Sequence, residues 1–118
     1  MPKQPKREER YQDRVLITGE VRIQVNEWDP VRTEQIVNIS EGGLQVKTNQ
    51  PLSPGTHFRW MAMVGGKEVS GQAEVIWTKE FPSHEQRESG MGAKFVALTP
   101  AARRWIAKYI SDHQADIE

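Results

Sequence analysis

Two groups of residues in this chain have types and spacing suited to holding a small, anion-bearing ligand. Arg10 and Arg14 stand four apart in the stretch RYQDR, and Asn38, Ser40 and Gly43 occupy NISEGG in the pattern Asn/Asp-x-Ser-x-x-Gly. A guanidinium pairs bidentately with an anion such as phosphate. Asn38 brings an amide donor and acceptor, Ser40 adds a short hydroxyl, and Gly43 lacks a Cβ where backbone must come close. The two groups carry unequal information. With 9 arginines in the chain, chance supplies about 0.7 Arg-x-x-x-Arg pairs, but only roughly 0.03 of the second pattern. The plainer reading of the second group is a turn whose side chains bond their own backbone.

Other chemistries find little to work with. His57, His84 and His113 are far apart and fall in different elements, so no metal-ligand spacing arises. Ser40 lacks the Gly-x-Ser-x-Gly elbow of a nucleophilic serine. Gly90 and Gly92 give a Gly-x-Gly inside a strand pattern, which is no phosphate loop. There is no cysteine, hence no disulfide or thiolate chemistry. The expectation is a binding protein rather than an enzyme, with no metal and no cofactor.

The elements that must position these residues follow from periodicity. Residues 1–14 are polar and charged, too poor in apolar groups to pack, and read as a flexible arm carrying the arginine pair. The segment VLITGEVRIQV then alternates, with Val15, Ile17, Val21, Ile23 and Val25 on one face of a strand. Residues 32–39 and 44–48 flank NISEGG as a strand pair. HFRWMAMV, GG and KEVSGQAEVIWTK read as a hairpin, with Gly71 marking a bulge or sharp bend. GMGAKFVAL is a last strand. Thr99 followed by Pro100 is a helix start, and Ala102, Trp105, Ile106 and Tyr109, with Ile110 beside them, then follow helical spacing. About six or seven short strands and one amphipathic helix favour a small antiparallel barrel with the helix packed on it.

Composition bounds the partners. The 118 residues form one domain, and 16 basic side chains balance 16 acidic ones. A coat for DNA or RNA is usually more basic, so general nucleic-acid binding is not expected. No apolar run approaches a membrane span, and MPKQPKREER lacks the apolar core of a signal peptide. Membrane insertion is not expected, and the cytoplasm is the default location.

The order of these features resembles the PilZ domain, a bacterial receptor family for the second messenger cyclic di-GMP. The resemblance rests on Arg10-x-x-x-Arg14, then Asn38-x-Ser40-x-x-Gly43 between strands, then AEVIW at 73–77, GMGAKF at 90–95 and a terminal helix. It covers residues 7–113. It implies a mainly β fold, a six-stranded antiparallel barrel with a C-terminal α-helix over 15–113, and a short tail at 114–118. It also implies cyclic di-GMP as ligand, held by Arg10, Arg14, Asn38, Ser40 and Gly43, with the arm as lid and the glycine-rich corner as floor. One position departs: some members carry a further arginine directly before the pair, where this sequence has Glu9 after Glu8. Function would then be that of an effector or adaptor whose arm changes conformation on binding and which signals through an unidentified protein partner. The alternative is a PilZ-like protein-interaction module that ignores the nucleotide, served by an aromatic such as Trp28 or Trp60, although tryptophan in a small barrel is more often core.

Overall fold

The computed structural model describes residues 14–81 and 88–114. Apart from Arg14, the expected arm lies outside the described residues, and so do Arg10, His84 and the tail from residue 115. The alternating segments become seven strands: β1 (Val15–Leu16), β2 (Glu20–Gln24), β3 (Arg32–Ile39), β4 (Gly43–Lys47), β5 (His57–Val64), β6 (Lys67–Lys79) and β7 (Gly90–Ala97). The last periodic segment becomes the helix α1 (Pro100–Gln114).

Around the sheet the order is β3, β2, β5, β6, β7, β4, and β3 pairs back onto β4. All pairings are antiparallel. The result is a closed six-stranded barrel with one C-terminal helix, and closure leaves its strands without a free edge. The two residues of β1 extend this frame along the edge of β3 that β2 also uses, with Val15 opposite Ile39 and Leu16 opposite Asn38. The single strand expected over 15–25 is therefore broken. Ile17 donates to Val37 O at 3.1 Å, and Gly19, at φ 144°, accepts from Ile36 N at 3.1 Å. Three residues on this side pass two on β3, a bulge that glycine makes cheap. Val15, Ile17, Val21 and Ile23 still all face the interior, as their spacing predicts.

Inside, Trp60 is 2% exposed and stacks on Phe95 with ring centroids 5.2 Å apart. It is core, whereas Trp28 is 86% exposed on the β2–β3 loop. Gly71 lies opposite Trp60, and a Cβ there would come within 2.6 Å of Ala97 O. The register shift against β7 follows at once, between Gln72 and Ala73. The bend anticipated at Gly71 thus marks close strand contact beside a bulge.

The helix closes one end of the barrel. Thr99 Oγ1 accepts from Ala102 N at 3.0 Å, the expected N-cap. Ala102, Ile106 and Ile110 are buried, and Trp105 Nε1 donates to Val64 O at 2.6 Å, tying the helix to the end of β5.

Candidate functional site

Strict alternation along β3 cannot put both Ile36 and Ile39 in the core, because they are three residues apart. Both are buried, at 3% and 0% exposure. A bulge between Ile36 and Asn38, against β4, resolves the conflict. It lets Ile39 turn inward while Asn38 keeps to the barrel exterior. A second bulge on β6 does the same across the sheet. The pairing with β7 shifts between Val75 and Trp77, so Val75 fills the core and the Trp77 indole lies outside, where a Cβ on Gly92 would overlap it. Asn38 pairs with Gln45, Gln45 with Gly92, and Gly92 with Trp77. These four residues form one exterior band across β3, β4, β7 and β6. At the usual strand spacing the band is roughly 14 Å wide.

Arg14 stands at one rim of this band. Val15, buried at 1% exposure, and its pairing with Ile39 fix the backbone there. The Arg14 guanidinium donates from Nη1 to Asn38 Oδ1 at 2.8 Å, and Asn38 Nδ2 donates to Gln45 Oε1 at 2.7 Å. The Asn38 amide is thereby oriented, with one lone pair and one N–H still to offer. At the other rim, Lys79 Nζ lies 5.5 Å from the Trp77 ring centroid. The band thus offers a flat aromatic face, two carboxamides and a cation at either edge. That is a surface for a planar heterocycle bearing anionic groups.

Ser40 follows the plainer reading of the sequence, a turn residue bonding its own backbone, and Gly43 makes room for a neighbouring strand. Ser40 is fully buried, and its Oγ accepts from the N–H of Gly42 and of Gly43, each at 3.2 Å. Ser40 N donates to Gly43 O at 2.8 Å to close the loop, and Phe95 N donates to Gly42 O at 2.8 Å to tie it to β7. A Cβ on Gly43 would overlap the Ala93 carbonyl. The close approach that glycine permits here is that of β7. The structure therefore brings Arg14, Asn38, Ser40 and Gly43 to one corner but divides them. Arg14 and Asn38 present polar groups, while Ser40 and Gly43 hold the loop from which Asn38 and Gln45 project.

Gln45 and Trp77 escape a reading by sequence alone. Glutamine in a strand carries no signal of its own. Trp77 sits in AEVIW, which suggests only a strand, and its outward turn depends on a bulge set by pairing with β7. Of the histidines, His57 Nε2 lies 3.4 Å from Glu74 Oε1, and His113 Nδ1 donates to Tyr109 O at 2.8 Å. Among the described residues, no group of three or more His, Cys, Asp or Glu is placed to hold a metal ion. No described helix is long and apolar enough to cross a membrane.

A family model described as PilZ domain matches residues 4–112. The fold is similar to that of the Bacillus subtilis inhibitor of motility MotI/DgrA, with a TM-score of 0.73 and 20% identity over 87% of this chain and 50% of that one. It is similar to Escherichia coli YcgR in complex with c-di-GMP, with a TM-score of 0.70 and 14% identity over 89% of this chain and 46% of that one. The PilZ domain of YcgR with c-di-GMP gives a TM-score of 0.68 and 15% identity, over 89% of this chain and 91% of that one. The chain spans about half the length of the first two proteins. No curated protein matches.

Proposed function

Since the chain belongs to the PilZ domain family, we propose that it binds cyclic di-GMP on the exterior band and acts as an adaptor without chemistry of its own. The observation that carries this reading is the band itself: two bulges turn Asn38 and Trp77 outward on either side of Gln45 and Gly92, with Arg14 bonded to Asn38 at the rim. A guanine stacks on the Trp77 indole, the carboxamides of Asn38 and Gln45 address its edge, and Arg14 meets phosphate or the O6/N7 edge. YcgR, whose fold is similar, is solved with this nucleotide.

Arg10 completes the pair in this proposal. Arg14 is anchored at the rim by Asn38, and Arg10 precedes it by four residues. Ligand contact by Arg10 then changes the conformation of the arm, and a protein partner recognises the liganded form. Hydrogen exchange checks this step: amides at residues 8–14 slow on adding nucleotide, while equal protection with and without it removes the arm from the signal.

Calorimetry with cyclic di-GMP, and with GTP as competitor, tests the function. Affinity on the order of micromolar, about 8 kcal/mol, and a preference over GTP are expected. No heat and no competition near a millimolar would favour the second reading, an interaction module that ignores the nucleotide. The exposed Trp28 is the observation on that side.

A further inference from the structure

We propose that the exterior of β2, β5 and β6 is an output face, and that a groove between Arg22 and Arg59 takes an acidic, extended segment of a protein partner. The inference rests on the adaptor reading above and names the chemistry of its partner.

Seven cationic side chains stand on the strands. Five have an ion pair or a ring beneath them. Arg32 reaches Glu34 at 2.8 Å, Lys47 reaches Glu88 at 2.9 Å and Lys94 reaches Glu74 at 3.8 Å. Lys67 lies over Trp105 and Lys79 over Trp77. Arg22 and Arg59 have neither an ion pair nor a hydrogen bond nor a ring contact among the described residues. These two are also neighbours. Arg22 pairs with Met61 and Gln24 with Arg59, so the arginines sit diagonally on one face, with Cβ atoms roughly 7–8 Å apart.

Both line a cavity of about 450 Å³, together with Met61, Gln72 and Val31. Its wall is the β2–β3 loop, which is held by an Asx turn. Asn26 Oδ1 accepts from Trp28 N at 2.9 Å, and Gln24 Nε2 donates to Asp29 O at 2.9 Å. That loop keeps Val31 beside the cavity and Trp28 in solvent.

The spacing selects the occupant. In an extended chain, side chains two residues apart are roughly 6.8 Å apart and share a face. Two carboxylates in an acidic-x-acidic segment therefore match the two guanidiniums, each of which can pair bidentately. Glu20 and Glu68 line the adjoining cavity with Met63 and Arg22, so the segment ends at Arg22 and runs from there toward Arg59. A second copy of this chain fits less well. A barrel face is convex, and three strands about 10 Å wide fall short of the ~800 Å² per partner of a standard interface. In the ring of six strands β5 is three removed from β4, and on β6, which groove and nucleotide band share, Gln72 lines the groove while Trp77 belongs to the band, so both can be filled together.

The test uses the full chain and a fluorescein-labelled peptide, Leu-Glu-Val-Glu-Leu, with its Gln-for-Glu analogue as control. Anisotropy should show saturable, salt-sensitive binding, weakened at least tenfold by Arg22→Glu, by Arg59→Glu and by the Gln analogue, and unchanged by Arg103→Glu on the helix. Thermal melts should show both groove variants folded, and both should titrate cyclic di-GMP like the parent. A parent that binds the peptide but not the nucleotide would leave the groove standing and sink the nucleotide reading. No peptide binding, or equal binding by the variants, would overturn the proposal. So would a dimer in sedimentation that Arg59→Glu dissociates, since the occupant would then be a second copy, and so would loss of nucleotide binding in both folded variants.

Discussion

Two glycine pairs join strands in this barrel, and they do opposite work. Gly65-Gly66 joins β5 to β6 with φ of 60° and 82°, a two-residue hairpin turn that glycine enters without strain and other residues do not. A Cβ on Gly66 would meet nothing within 4 Å. Gly42-Gly43 joins β3 to β4 without positive φ at either residue. There glycine is needed because β7 comes too close, and the loop is held by the Ser40 hydroxyl. One turn is set first by backbone conformation, with space for a side chain at Gly66 though not at Gly65, where a Cβ would come within 2.8 Å of the Tyr109 ring. The other is a matter of contact and tolerates none. Only the second borders the proposed nucleotide band, because contact with β7 is what aligns Asn38, Gln45, Gly92 and Trp77.

The sharpest way to break this contrast is Gly43→Ala. The new methyl overlaps the Ala93 carbonyl, so β4 and β7 must separate, at a cost of about 3 kcal/mol in chemical denaturation. Nucleotide binding should fall with it. Trp77→Ala separates recognition from scaffold. It should weaken cyclic di-GMP binding by about 2 kcal/mol in calorimetry, with a far smaller change in stability than Gly43→Ala. Ser40→Ala leaves the Gly42 and Gly43 amides without their acceptor inside a buried loop, and should lower stability by about 1.5 kcal/mol. Its binding loss should follow from the loosened loop, so Ser40→Thr should restore less of it than of the hydrogen bonds if the added methyl crowds the turn. The smallest effect belongs to Gly66→Ala, about 1 kcal/mol of backbone strain with nucleotide affinity unchanged. If Gly66→Ala harmed binding as much as Gly43→Ala, the two turns would not differ as described.

Legibility in the sequence followed the range of the interaction. The Thr99-Pro100 helix start, the Gly65-Gly66 hairpin and the inward set of Val15, Ile17, Val21 and Ile23 are local patterns, and they read directly. NISEGG reads as a special corner, and it is one. The Ser40 hydroxyl bonds its own loop, as the plainer reading of the turn has it, whereas the need for glycine at 43 did not read directly, because it answers to β7, which follows some fifty residues later in the chain. The bulges at Val37 and Ile76 are likewise fixed by partner strands. Each reverses which side of the sheet the next residue faces. No periodicity in one strand could show that Asn38 and Trp77 share a surface, or that Gln45 lies between them. The break at Gly19 was hidden for a related reason: the apolar spacing runs through it unbroken, and only the pairing with β3 exposes it.

The account stands or falls on where the nucleotide sits. Backbone and indole N–H resonances of the isotope-labelled chain, followed by NMR through a cyclic di-GMP titration, locate it residue by residue. The account predicts the largest shifts at Arg14, Asn38, Gln45, Gly92 and the Trp77 indole, with the buried Trp60 indole and the groove residues Arg22, Arg59 and Met61 little changed. Shifts centred on Arg22, Arg59 and Met61, with the Trp77 indole unmoved at saturation, would contradict it.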